Sequence, residues 1–301
     1  MMIRTGIAAL IVTGLVAAAA PVGAQDGLAL MKVEAGARPA GMGGAFVAMV
    51  SEPNAVFYNP AGAAYVTRFT ATFGHNTYWE NVRLETGYAV SNLTDRLAIH
   101  GGIRYAAVSD LERRSGPTSE PETYFDAHDV AAKAGLAYAV SDRLAAGVAA
   151  GWFLEKIDDQ RGSAFNLDLG LIYRATPELD LGASITNMGP DFSLSVGGGS
   201  QGTSDISMPT TYRVGGAYRY DRYLGTADMV IVDDEAHLHI GAEGMLHELA
   251  SVRAGYMFNY DSKNFTAGAS FSQRKLTVDY AFVPYSNDLG TSHLFNLTVT
   301  L

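Results

Sequence analysis

The chain of 301 residues has no cysteine, only two tryptophans and few charged residues, which make up 17% of the sequence. Soluble domains usually carry about 25% charged residues. Without cysteine the chain has neither a disulfide framework nor a thiolate metal site nor a Cys-linked lipid anchor. Its 31 acidic residues outnumber its 21 basic ones, which argues against a nucleic-acid partner. The 48% hydrophobic content excludes a disordered chain.

Long apolar runs are also scarce. The longest, from Gly6 to Ala20, spans about 15 residues, whereas a transmembrane helix needs about 20. It follows Arg4 and precedes the small residues Val22-Gly23-Ala24, a typical export-signal cleavage site. We therefore predict a signal peptide at residues 1–24. Any later crossing of a membrane must then use strands.

From Phe69 onward, apolar residues alternate with polar or small ones with a period of two, and short turns interrupt the pattern. Most segments are long enough for a tilted crossing of about 9–11 residues. Many end in an aromatic residue, as interfacial girdles require. We count fourteen segments, at 69–78, 82–92, 97–109, 127–141, 143–157, 162–175, 178–188, 210–220, 223–232, 236–246, 249–260, 264–272, 275–284 and 291–301.

The connections between these segments alternate in length. One set has only two or three residues, such as Ser141-Asp142, while the other includes the long segments 110–126 and 189–209. Outer-membrane barrels have short periplasmic turns and longer outer loops. The pattern predicts an all-β fold, a 14-stranded antiparallel transmembrane β-barrel over residues 69–301. A soluble sandwich would alternate as well, but without one-sided loop lengths.

Charged residues concentrate in the rows that alternate with the apolar ones. Since Arg or Lys on the lipid face costs about 2–4 kcal/mol at the midplane, these rows are expected to line the lumen. Their mixed signs predict a network of paired charges rather than an ion-selective ring. The predicted lumen network consists of Arg83, Glu85, Arg104, Lys133, Asp168, Arg174, Arg213, Arg219, His237, His239, Glu243, Arg253 and Asp279.

The segment 25–68 does not alternate. It is rich in small residues, with Gly41, Gly43 and Gly44 close together, and it contains Asn59-Pro60-Ala61. Small residues allow close packing of backbone against a barrel wall, and Pro60 cannot donate to a strand ladder. We predict that this segment is an N-terminal hatch with short helical turns inside the barrel, and that the Asn59 amide pairs with lumen charges.

The stretch GARPAGMGGAFVAMVSEPNAVFYNPAGAAY at 36–65 resembles the start of the PorV/PorQ family of outer-membrane proteins, within the superfamily of FadL-type fatty-acid transporters. The ending SNDLGTSHLFNLTVTL is similar to that family's last loop and strand. The resemblance implies a fourteen-stranded barrel with an N-terminal hatch, in which Asn59, Pro60 and Ala61 match the superfamily's Asn-Pro-Ala element. The chain departs from the usual barrel ending, because its last residue is Leu301 rather than an aromatic one.

The sequence gives little support for a metal site, a nucleotide site or an enzyme active site. His237 and His239 share a strand face with Glu243, but two His and one Glu on one strand rarely complete a metal shell. The acidic loop around Glu120 favours solvation over calcium binding. The Gly41–Gly44 cluster lacks the Lys-Ser/Thr of a phosphate loop. We therefore predict no enzyme activity, no catalytic residues, no metal and no cofactor.

Two functions remain, both in the outer membrane of a Gram-negative-type bacterium with its lipid as a partner. The resemblance to PorV/PorQ implies a secretion-associated barrel that binds exported proteins or type IX secretion components. The wider superfamily implies a passive channel for small hydrophobic molecules such as fatty acids. Only Phe153 and Ile172 stand out as apolar residues of the lumen register, and this scarcity favours the first function. An open general porin is disfavoured, because the hatch would block it.

Overall fold

The computed structural model describes residues 29–50, 52–78, 82–196, 200–287 and 289–301. The predicted signal peptide at 1–24 lies outside these residues. In the part of the chain that the structure describes, three short helices come first: α1 (Ala29–Lys32), α2 (Ala37–Gly41) and α3 (Ala55–Tyr58), followed by a 3₁₀ helix (Pro60–Tyr65). No helix among the residues described is both long and apolar enough to span a membrane.

The rest of the chain forms strands. Their bounds are β1 Thr70–Thr77, β2 Arg83–Asn92, β3 Leu97–Arg113, β4 Thr123–Ala139, β5 Leu144–Ile157, β6 Gln160–Arg174, β7 Leu179–Met188, β8 Phe192–Val196, β9 Ser200–Ile206, β10 Thr211–Tyr220, β11 Tyr223–Val232, β12 Glu235–His247, β13 Ala250–Met257, β14 Phe265–Gln273, β15 Leu276–Pro284 and β16 Thr291–Thr300.

Fourteen of these strands close into one antiparallel barrel, which confirms the predicted fold. Strands β1 to β7 pair in chain order, β7 pairs with β10, β10 to β16 continue in order, and β16 pairs back with β1. Closure leaves no unpaired edge, as a barrel in lipid requires. Six connections of two to four residues lie at one end of the barrel, called here the turn end. The other end, called the loop end, carries the longer connections between barrel strands, together with the two-residue turns 158–159 and 233–234.

The barrel wall is apolar on its outside. Phe73, Phe165 and Leu171 on its outer face expose 60%, 74% and 51% of their surface. The inward residues of β6, by contrast, are buried in strict alternation. Packing against the interior therefore accounts for the buried rows, while the exposed apolar rows fit lipid.

Two features at the loop end depart from the predicted strands. Strands β8 and β9 form a hairpin inside the predicted loop 189–209, and β8 also pairs with β6. Strand β3 continues to Arg113, past a bulge between Val108 and Leu111 where Asp110 has a positive φ of 61°. Beyond the bulge Leu111 is followed by the charged Glu112 and Arg113, so the apolar alternation ends there although the backbone ladder continues.

The core of the molecule lies inside the barrel, around the N-terminal segment. Phe46, Val47 and Ala48 are at most 1% exposed, and they belong to a buried cluster that includes Tyr88 and Val90 of β2. The segment packs on both sides of the barrel: α2 contacts β13 to β16, and the 3₁₀ helix contacts β2 to β6. Residues 29–50 and 52–66 thus occupy the lumen.

Candidate functional site: the lumen and its N-terminal segment

An ion network attaches the segment to the wall formed by β12, β13 and β15. Arg38 donates two hydrogen bonds to Glu243, at 2.7 and 3.0 Å, and a third to Glu52 at 3.0 Å. Arg253 lies 3.3 Å from Glu243 and 3.0 Å from Asp279. Burial alone would lower the pKa of Arg38, but the carboxylates of Glu243 and Glu52 raise it above its ordinary value. Two arginines thus share three carboxylates, and a bidentate pair fixes the orientation of α2.

Glycines allow the segment to approach this wall closely. Gly43 has a φ of +64°, and its N–H donates to Thr266 Oγ1 at 3.0 Å. A Cβ on Gly255 would overlap the backbone of Gly43, and a Cβ on Gly41 would lie 2.9 Å from the side chain of Arg253. Gly44, with a φ of +71°, lies against His239. The predicted glycine cluster therefore packs closely against the wall, with Gly43 against its backbone and Gly41 and Gly44 against its side chains.

The Asn59-Pro60-Ala61 element meets the opposite wall. Asn59 is fully buried, and its Nδ2 donates to the carbonyls of Val47 at 2.9 Å and Leu171 at 3.0 Å. Its Oδ1 accepts from the N–H of Ala61 at 3.1 Å, which caps the 3₁₀ helix. The prediction that its amide pairs with lumen charges is wrong. The amide instead pairs with backbone carbonyls, because Gly170 of β6 lets the wall come within reach.

Several predicted network residues form ion pairs within the lumen. Lys133 Nζ lies 2.6 Å from Asp168, which is fully buried, and donates to Asn187 at 2.7 Å. Near the turn end, Arg219 lies 2.6 Å from Asp180. Arg174 lies 3.8 Å from Asp180 and stacks over the ring of Tyr65 at 3.7 Å.

Arg83 and Glu85 do not belong to this network, so their predicted placement in the lumen is wrong. Both point outward from β2, where Glu85 bonds to His75 at 2.7 Å with both side chains about half exposed. The inward row of β2 carries Leu84 and Tyr88 instead. That row is apolar because it packs against the N-terminal segment rather than against water.

A polar cavity of about 740 Å³ lies at the loop end, between the segment, strands β10 to β12 and the loop that follows β13. Lys263 Nζ lies 2.8 Å from Glu34 within it, and Tyr260 stacks on His237 with ring centroids 3.9 Å apart. His239 Nε2 bonds to the hydroxyl of Tyr260 at 3.0 Å. Among the residues that the structure describes, no three His, Asp or Glu side chains group closely enough to hold a metal ion.

An apolar cluster stands beside this cavity at the same end, and we call it the apolar mouth. Phe153 and Phe192 pack with ring centroids 5.9 Å apart. A smaller cavity of about 190 Å³ opens against the mouth, lined partly by Val33 and Ala106. The buried residues of the mouth are Leu30, Met31, Tyr78, Leu84, Ala131, Phe153, Ala164, Phe192 and Met208.

The sequence interpretation recognised only Phe153 of this mouth. Phe192 and Met208 lie in the predicted loop, and the predicted lumen placement of Arg83 and Glu85 would put Leu84, which lies between them, on the lipid side. Ile172, the other predicted apolar lumen residue, packs near the Asn59 element against Ala61 and Ala145. The alternation of Phe192 and Leu194 with serines is the one sequence signal that indicates β8. The argument from scarce apolar lumen residues is therefore wrong.

No family model matches the chain, and no curated protein matches it in sequence. Solved structures do resemble it across 88% of its length. The Ralstonia pickettii toluene transporter TbuX has a TM-score of 0.63 and 17% identity over 97% of its chain. The Pseudomonas putida toluene transporter TodX has a TM-score of 0.64 and 14% sequence identity over 96% of its chain. A Pseudomonas aeruginosa FadL homologue has a TM-score of 0.59 and 12% sequence identity over 97% of its chain. The chain thus has the fold of FadL-type outer-membrane transporters.

Proposed function

We propose that this protein is an outer-membrane channel for small hydrophobic molecules, with the segment 25–68 as a hatch inside its barrel. The apolar mouth carries this proposal. It offers buried hydrophobic surface at the loop end, the end that faces outward if the short turns are periplasmic. Concave, mostly apolar sites with a few polar groups are typical of small-molecule binding.

The filled lumen supports a hatch rather than an open pore. Phe46, Val47 and Asn59 are fully buried at its centre. The ion network around Arg38 and the contacts of Asn59 attach the segment to opposite walls. A polar solute that enters the large cavity therefore meets the N-terminal segment before it reaches the turn end. A general porin would have an open path to that end.

The names of similar structures agree with an apolar substrate. TbuX and TodX are described as toluene transporters, and a third is a FadL homologue. Because their sequence identity to this chain is only 12–17%, these structures support a shared fold and no more. The proposed substrate class is therefore argued from the apolar mouth. Association with type IX secretion, and membership of the PorV/PorQ family, remain predictions. No contact among the described residues favours them over a channel.

Uptake into proteoliposomes tests the proposal. The protein is reconstituted in vesicles with an outer leaflet of lipopolysaccharide, which slows apolar solutes, and entry of radiolabelled toluene, a long-chain fatty acid and sucrose is followed. We expect the apolar solutes to enter faster than into protein-free vesicles and sucrose to stay outside. Leu84→Asp, which places a charge in the mouth, should abolish the difference, whereas Leu93→Asp in an exposed turn should not. Entry of sucrose, or no protein-dependent entry of either apolar solute, contradicts the proposal.

A further inference from the structure

Phe57 of α3 lies between two cations of the barrel wall. Arg104 Cζ is 4.4 Å from the ring centroid and Lys133 Nζ is 4.9 Å from it. Both distances are within the range at which a cation is attracted to an aromatic face. Tyr88 meets the ring edge-on with centroids 6.1 Å apart. We call this position, walled by Arg104, Lys133 and Tyr88, the ring site.

Arg104 depends on this ring more than an ordinary lumen arginine does. It is 1% exposed, and its one hydrogen bond goes from Nη2 to the Val33 carbonyl at 3.0 Å. Its Nε and Nη1 have no hydrogen-bond partner, and within the described ranges it makes no ion pair with a carboxylate. Lys133, in contrast, is neutralised by Asp168. Since a buried unpaired cation is costly, the π face of Phe57 is an important partner of Arg104.

The present occupant of the ring site can be reached from outside. Phe57 is only partly buried, and it lines the 740 Å³ cavity together with Tyr58 and Arg213. Phe46, the other phenylalanine of the segment, is fully buried. A rotation of the Phe57 side chain toward the cavity would therefore leave the cations facing a space open to the loop end. The space that this rotation leaves has the size of a phenyl ring.

We propose that the ring site is a binding subsite for the aromatic ring of a small neutral ligand, and that Phe57 holds this subsite in the unliganded protein. The inference rests on the proposed channel function and narrows its substrate class. A saturated ring of the same size buries similar apolar area but lacks the quadrupole that attracts cations. The subsite therefore favours aromatic over aliphatic hydrocarbons, because Arg104 and Lys133 attract only the former.

The test compares toluene with methylcyclohexane, which share one carbon skeleton and carry no charge. Binding of each to the purified full-length protein in detergent is measured by headspace equilibrium, relative to detergent alone. Phe57→Ala vacates the ring site, and we expect it to raise the toluene-to-methylcyclohexane affinity ratio about tenfold. Arg104→Met on the Phe57→Ala background should remove most of that gain, whereas Arg161→Met, an exposed arginine of β6, should leave it unchanged.

Folding of each variant is checked by heat-modifiable migration in gels. If the Arg104→Met variant does not fold, Phe57→Leu and Phe57→Tyr decide instead. Leucine lacks a π face, so toluene should displace it from the ring site more readily than it displaces tyrosine. The toluene-to-methylcyclohexane affinity ratio should therefore rise for Phe57→Leu and not for Phe57→Tyr. An equal gain for both hydrocarbons, or an unchanged ratio in Phe57→Ala, overturns the aromatic subsite and leaves the channel intact. If neither hydrocarbon binds any folded variant, the channel proposal itself fails.

Discussion

Lys263, in the loop after β13, lies 2.8 Å from Glu34 in the N-terminal segment, and this ion pair joins the segment to the barrel wall at the loop end. Burial opposes the charged form of Glu34, but the ammonium of Lys263 lowers the pKa of that carboxyl below its ordinary value. Burial opposes the charge of Lys263 too, and Glu34 raises the pKa of that amine. Both charges therefore persist at neutral pH.

The pair predicts a pH window for stability. The lowered pKa of Glu34 adds stability that is present above the unfolded pKa of about 4.3 and is lost as pH falls through the folded value. The raised pKa of Lys263 adds stability that is present below about 10.4 and is lost as pH rises through the folded value. Lys263→Gln should therefore cost about 1–3 kcal/mol at pH 7, and this cost should shrink as pH falls through the folded pKa of Glu34.

The temperature at which the folded gel band disappears, followed across pH in both proteins, measures this effect. Lys275→Gln, in the tight turn before β15, is the matched control and should change little at any pH. A cost of Lys263→Gln that stays constant over the whole acid range in which the protein is folded would show that the ion pair does not cause it.

Deletion of residues 36–62 should open the barrel. The strand ladder closes without this segment, since β1 pairs with β16 directly. Removal of the hatch should leave an aqueous path lined by mixed charges. Conductance in planar bilayers should be near zero for the intact protein and clearly higher for the deletion. An intact protein that already conducts like an open pore would mean that the segment does not seal the lumen.

Loosening the Asn59 contacts should give an intermediate result. Asn59→Ala removes the donor to the Val47 and Leu171 carbonyls and leaves them buried, at a cost of about 1–3 kcal/mol. Brief, flickering openings are expected in single-channel records. Asn92→Ala, in an exposed position at the turn end of β2, is the control. Identical single-channel records for Asn59→Ala and Asn92→Ala would show that Asn59 does not help to keep the hatch closed.

The outer face of β6 should tolerate loss of bulk but not charge. Leu171 is 51% exposed on that face, and Leu171→Arg places a cation in lipid at about 2–4 kcal/mol. Leu171→Ala changes only apolar contact. Assembly yield in outer membranes, read as the fraction of heat-modifiable protein, should fall sharply for the arginine variant alone. Equal yields would contradict the assigned register.

The contacts of Asp168 change the expected effect of its substitution on stability. Its position in the lumen row suggests that Asp168→Asn is mild. In the fold it is fully buried, pairs with Lys133 and accepts from the N–H of Asn187 at 2.7 Å. Its substitution leaves Lys133 without a buried counter-charge, and we expect a loss of about 3 kcal/mol in stability. Thermal loss of the folded gel band measures this, with Asp142→Asn in an exposed turn as control.

The sequence by itself determined the barrel. A side-chain period of two, interrupted at regular intervals, locates fourteen strands to within a few residues, because lipid outside and polar lumen inside impose opposite demands on alternate positions. The same rule fails for Arg83 and Glu85. It assumes a polar interior, and beside β2 the interior is filled by the apolar side chains of the N-terminal segment.

Only the tertiary structure decided what lies inside. Nothing in the local pattern pairs Arg38 with Glu243, 205 positions away, or brings Phe57 between Arg104 and Lys133. The apolar mouth likewise combines residues from α1, β2, β5 and a hairpin in a predicted loop. Alternation reports which face of a strand a side chain occupies, whereas contacts across a lumen depend on the closure of the whole barrel. The sequence therefore specified the wall, and the closed fold specified the site.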